Sequence, residues 1–93
     1  MTYKRYVIER DLPDVGSLGE TEIAGAAETS NGALAELAPE VQWIESFVAA
    51  DKTFCIYLAQ GEEAIRTHAE RSGFPASRIT EIARVIDPTT AQA

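Results

Sequence analysis

Apolar positions along this chain follow two rhythms, one recurring every second residue and one every third or fourth, and the changes of rhythm mark its elements. The stretch Tyr3 to Glu9 is rich in aromatic and β-branched residues and predicts a strand. Asp11-Leu12-Pro13-Asp14 and Gly16 break it, and Ser17 with Glu20 has the spacing of a helix capping box. Ile23, Ala27, Ser30, Leu34 and Leu37 then recur at helical spacing until Pro39 stops the helix. Gly25 and Gly32 weaken that helix by roughly 1 kcal/mol each relative to alanine, so packing has to hold it. Val41 to Val48 predicts a second strand and Thr53 to Leu58 a third, joined by a tight Ala49–Lys52 connection into an antiparallel hairpin. Glu62 and Glu63 suit the first turn of a second helix, whose inner face carries Ala64, Ile65, His68 and Ala69 and which Gly73 and Pro75 close. Ile79 to Ile86 predicts the last strand.

The order βαββαβ predicts a ferredoxin-like α+β fold, a four-stranded antiparallel sheet with two helices on one face. The expected organisation is one domain over residues 1–88 and a short polar tail at 89–93. Alternation divides the strands into two sets. Tyr6, Ile8, Ile44, Val48, Phe54, Ile56, Leu58, Ile82 and Ile86 are expected beneath the helices. Tyr3, Arg5, Val7, Glu9, Trp43, Glu45, Phe47, Cys55, Tyr57, Ile79, Glu81 and Val85 are expected on the open face. So apolar an open face predicts a homodimer through the surface bearing Trp43, Phe47 and Tyr57, two sheets stacking into a dimeric α+β barrel.

Composition narrows the partners. The net charge is −7, from 15 acids against 8 scattered bases, which argues against a nucleic-acid partner. No apolar run approaches the roughly 20 residues of a membrane span. The start, Met1-Thr2-Tyr3-Lys4-Arg5, lacks a signal peptide's apolar stretch, and Cys55, the one cysteine, suits a reducing compartment, so the expected location is the cytoplasm.

Little chemistry stands out. His68 is the only histidine, and it reads either as a metal ligand or general base, or as a core imidazole satisfied by hydrogen bonds. Cys55 would offer a thiolate to a borderline metal such as nickel or zinc, or would pack as a small apolar group. Glu9, Glu45 and Glu81 share one predicted face, where they would bind a cation or pair with Arg5, Arg10 or Arg84. There is no CxxC, HxxxH, glycine-rich phosphate loop or nucleophile elbow, and nothing points to a hydrolase or nucleotide-using enzyme.

From the hairpin onward the text becomes distinctive. Val41-Gln42-Trp43-Ile44-Glu45-Ser46-Phe47-Val48, Asp51-Lys52-Thr53-Phe54-Cys55-Ile56-Tyr57, Glu62-Glu63, His68-Ala69, Gly73-Phe74-Pro75-Ala76 and Ile86-Asp87-Pro88-Thr89-Thr90, with Ile8-Glu9-Arg10 near the start, resemble a family of short, mostly bacterial proteins. Members of that family are largely of unknown function, and some are nickel-binding. The resemblance implies a ferredoxin-like homodimer and a nickel-binding role for at least one relative, and it carries over His68, Cys55, Tyr57, Glu9 and Glu45 as candidate ligands. Relatives often carry an acid where this chain has Thr67, and a Thr-Asp turn where it has Ala49-Ala50.

Three readings follow. The first is a small dimer that binds a divalent transition metal, nickel by analogy, for sequestration or delivery, with His68 as nitrogen ligand and carboxylates or Cys55 completing the shell. The second is a cofactor-free oxygenase-like, isomerase-like or small-molecule-binding barrel. Its closed apolar pocket would hold His68 and Tyr6 between walls of Phe54 and Ile65. The third is a metal-independent interaction or stress module.

Overall fold

In the computed structural model, which describes residues 2–92, the opening alternation becomes strand β1 (Lys4–Asp11), with Tyr6, Ile8 and Arg10 turned inward. It is followed by α1 (Glu20–Leu37), β2 (Val41–Val48), β3 (Lys52–Ala59), α2 (Glu62–Ser72) and β4 (Arg78–Ile82). The strands form one antiparallel sheet in the order β2-β3-β1-β4, the ferredoxin-like α+β arrangement. Ile65 of α2 and Leu34 and Leu37 of α1 pack with Tyr6, Ile8, Val41, Cys55, Tyr57 and Ala59 of the sheet, and this cluster is the core.

The sheet faces differ from the sequence expectation on three strands. Residues paired across strands share a face, and Tyr57 sits opposite Tyr6 while Cys55 sits opposite Ile8. Cys55 and Tyr57 are therefore buried beneath the helices, and Phe54, Ile56 and Leu58 lie on the open face. Both halves of β3 are apolar, so apolarity could not choose between them. In β2 the register shifts between Trp43 and Glu45, a bulge that leaves Ile44 exposed. The extra residue puts Val41 and Trp43 inside and, beyond the bulge, Ser46 and Val48 on the same side, with Glu45 and Phe47 outside. In β4, Ile79 pairs with Ile8 and packs on the core, while Ile82 pairs with Arg5 outside. The strand ends at Ile82, and Val85 and Ile86 are exposed beyond it.

Helix ends follow the sequence more closely. Gly73 takes the left-handed conformation (φ 81°) and donates its N–H to the Ala69 carbonyl, closing α2 as the glycine predicts. The α1 cap lies two residues later than expected: Gly19 donates its N–H to Glu22 Oε1 at 3.1 Å. Ser17 instead ends a 3₁₀ turn (Val15–Ser17) and donates its hydroxyl to the Asp14 carbonyl at 2.8 Å. The tail is also ordered as a 3₁₀ turn over Pro88–Gln92.

The loop between β1 and α1 docks on the β2–β3 connection through Gly16, whose N–H donates to the Ala50 carbonyl at 2.9 Å. A Cβ at Gly16 would meet the Ala49 carbonyl oxygen at 2.7 Å and Ala50 Cα at 2.8 Å. Gly16→Ala is therefore expected to destabilise by about 1 kcal/mol, the low end for overpacking because the loop is at the surface. It should show as a lower urea midpoint with an unchanged slope. An unchanged midpoint would mean that the loop moves aside without cost.

Candidate functional site

The inward set of β1 does not end at Ile8. One alternation further on, Arg10 is carried beneath the helices, where it is only 2% exposed. Its Nη1 donates to the Pro75 carbonyl at 2.9 Å and to the Phe74 carbonyl at 3.4 Å. Its guanidinium carbon lies 5.9 Å from the centre of the Tyr57 ring, close enough for a cation–π contact. Nη2 has no hydrogen-bond partner, and Arg10 makes no ion pair among the described residues.

Tyr57 links Arg10 to the second helix. Its ring lies 5.2 Å from that of His68, tilted by 51°. His68 is fully buried on the inner face of α2, and its Nε2 shares a 3.3 Å hydrogen bond with Ser30 Oγ on the inner face of α1. His68 Nδ1 has no partner among the described residues. Burial, and secondarily the Arg10 charge, hold the imidazole below its ordinary pKa, so it is neutral near pH 7. Burial raises the Tyr57 phenol, although the Ser30 hydroxyl and Arg10 guanidinium pull the other way. Tyr57 therefore stays protonated.

Next to this cluster, between α1 and the sheet, lies a cavity of about 390 Å³. Arg10, Ser30, Thr53, Cys55 and Tyr57 contribute polar edges to its wall, and Trp43, Val48, Ile23, Ala27 and Phe74 contribute apolar surface. Leu12, Val15 and Leu18 of the β1–α1 loop complete it. Trp43 is fixed there by donating Nε1–H to Ser46 Oγ at 3.0 Å, and Thr53 Oγ1 and Cys55 Sγ share a 3.5 Å contact. His68, Tyr6, Phe54 and Ile65 do not line this cavity, so the closed pocket around His68 expected from the sequence is not formed, and Phe54 faces the other side of the sheet.

The five candidate metal ligands fall on two faces. His68, Cys55 and Tyr57 lie between sheet and helices. Glu9 and Glu45 stand on the open face, where Glu9 pairs with Lys52 at 3.5 Å. Among the described residues no group of three His, Cys, Asp or Glu side chains converges as a metal shell. A divalent cation beside His68 would face the Arg10 charge with no carboxylate to balance it. The described residues around His68 do not by themselves make a shell for such an ion. Arg10 and Ser30 were not candidates on sequence, yet both had a signal there: Arg10 continues the Tyr6, Ile8 alternation, and Ser30 interrupts the apolar stripe of α1.

No helix among the described residues is long and apolar enough to cross a membrane. A family model described as nickel responsive protein SCO4226-like matches residues 6–82. Among solved structures, the chain is similar to SCO4226 from Streptomyces coelicolor A3(2), with a TM-score of 0.72 and 16% identity over 88% of this chain and 99% of that one. At that identity the likeness is one of fold. No curated protein matches the chain.

Proposed function

The chain belongs to the SCO4226-like family of nickel responsive proteins, and we propose that it responds to nickel as a homodimer, holding the metal between two copies rather than inside one. The observation that carries this reading is the open sheet face. Val7, Phe47, Phe54, Ile56, Leu58 and Ile82 share it, and Phe47 is 55% exposed. Contiguous apolar surface of this kind is normally covered by a partner. This corrects the surface expected from the sequence: of Trp43, Phe47 and Tyr57, only Phe47 remains on it.

The same face carries Glu9 and Glu45. Glu45 has no ion pair among the described residues. In a two-fold dimer each surface patch meets its own copy, so one covered interface holds the carboxylates of both chains. Covering them strips their water, which is costly unless a cation compensates. Nickel takes mixed nitrogen and oxygen donors, so carboxylates and water serve it less selectively than imidazole would. Lys52, already 3.5 Å from Glu9, and Arg5 on the same face are the rival counter-charges.

Sedimentation velocity and calorimetric titration with Ni²⁺ test the reading on wild type, Glu45→Gln and His68→Ala. The expected result is a wild-type dimer whose nickel binding is lost in Glu45→Gln and kept in His68→Ala. A monomer with and without Ni²⁺ would sink the proposal. So would nickel binding abolished by His68→Ala in a protein that still dimerises.

A further inference from the structure

The cavity between α1 and the sheet is unexplained by anything metal-related, and its electrostatics are incomplete. Arginine cannot shed its proton to escape burial, so a buried guanidinium must be compensated by its surroundings. Here the compensation is partial. Two backbone carbonyls take Nη1, the Tyr57 ring faces the cation, and Nη2 is left without a partner among the described residues. The only carboxylate in the described lining is Asp14, which is exposed and makes no ion pair with Arg10. Neighbouring His68 adds no charge, so the cavity wall presents one buried guanidinium that no anion pairs with among the described residues.

The space itself has a cause. The inner face of α1 offers small side chains at Ala26, Ala27 and Ser30 where a larger residue would reach the sheet. About 390 Å³ remains, which falls within the roughly 300–1,000 Å³ typical of small-ligand sites. Apart from Arg10, Asp14, the hydroxyls and Cys55, its walls are hydrocarbon and aromatic ring.

We propose that this cavity binds a small apolar monocarboxylate, its carboxylate on Arg10 Nη2 and its body against Trp43 and the α1 alanines. One unpartnered guanidinium nitrogen, buried in the wall, matches one carboxylate oxygen, since a charge-assisted hydrogen bond of this kind is short and directional. A phosphate would bring a second charge for which the cavity has no cation. Ser30, Thr53 and Tyr57 also border the space, and their hydroxyls are the other polar groups near Arg10 there. This site is separate from the open sheet face, and its occupancy does not depend on dimerisation or nickel.

Trp43, the one tryptophan, sits in the wall and reports binding by its own fluorescence. The probes are phenylacetate and hexanoate, each against its neutral amide, on wild type, Arg10→Met and Ala27→Leu. The acids are expected to give saturable changes and to bind at least about tenfold more tightly than the amides, the scale of a hydrogen bond to a charged group. Arg10→Met should bring acid and amide to equal affinity. Ala27→Leu, which leaves Arg10 in place and fills the space, should weaken all four probes. Equal binding of acid and amide by wild type overturns the carboxylate assignment. Absence of saturable binding overturns the site altogether and leaves Nη2 to ordered water. Should Arg10→Met fail to fold, the acid-to-amide ratio in wild type and the Ala27→Leu result still decide.

Discussion

Ile65→Ala is expected to lower the stability of the domain by about 2–5 kcal/mol, the range for truncating a fully buried aliphatic side chain. Ile65 is inaccessible to solvent, and it joins α2 to the Tyr6, Ile8, Val41 and Tyr57 cluster of the sheet. Truncation removes buried hydrocarbon and leaves a void that α2 cannot close. His68, on the same face three residues on, is held by Ser30 of α1 and by the Tyr57 ring. For a domain of this size each kcal/mol lowers the melting temperature by roughly 4–8 °C, so the loss should be large in a thermal melt. Ile86→Ala is the control. Ile86 is 69% exposed, and its truncation should stay within about 0.5 kcal/mol. Equal losses in the two variants would mean that the core is not where the packing places it.

That contrast also separates what the sequence made legible from what it did not. The element order was legible because each rhythm was strong: helical spacing in α1 and α2, alternation in β1, and Gly73 and Pro75 at the close of α2. Which face of β3 lay inside was not legible. Phe54, Ile56 and Leu58 are as apolar as Thr53, Cys55 and Tyr57, or more so, and a sheet covered on one side by helices and apolar on the other gives alternation nothing to read. The bulge at Ile44 is a second cause, because one extra residue reverses parity along the rest of a strand without any mark in composition. Ile86 entered the expected core for a different reason, an alternation that continues past Ile82, where the strand itself ends. Tyr57 and Cys55, expected on the open face, stand in the cavity wall instead, with Arg10 and apart from Glu9 and Glu45.

The candidate site was legible only in fragments for the same reason. His68 and Ser30 were readable as inward-facing positions on their helices, but their 3.3 Å contact depends on how α1 and α2 cross over the sheet. Arg10 was readable as a base near a strand end, where solvent exposure is the ordinary expectation. Its burial follows from the docking of the Phe74-Pro75 segment, whose carbonyls receive it. Long-range contacts of this kind join residues more than sixty positions apart, and no local pattern announces them.

Acid should test how tightly that cluster is closed. The fold holds His68 below its ordinary pKa of 6.5, first by burial and then by the Arg10 charge, while the unfolded chain releases it to that ordinary value. In the window just below 6.5 the unfolded state therefore binds more protons than the folded one, and stability falls with pH. The contribution of His68 is fully present above that window and is lost as pH drops through it. One such proton changes stability by at most about 1.4 kcal/mol per pH unit. Urea midpoints of wild type and His68→Gln between about pH 8 and pH 5 give the measurement, because carboxylates elsewhere titrate alike in both and cancel in the difference. The wild-type curve is expected to fall more steeply below 6.5 than that of the variant, which carries no proton there. Parallel curves would show that His68 gains its proton in the folded state as easily as in the unfolded one. That outcome requires the packing of Tyr57, Ser30 and Arg10 around the imidazole to open enough to admit water.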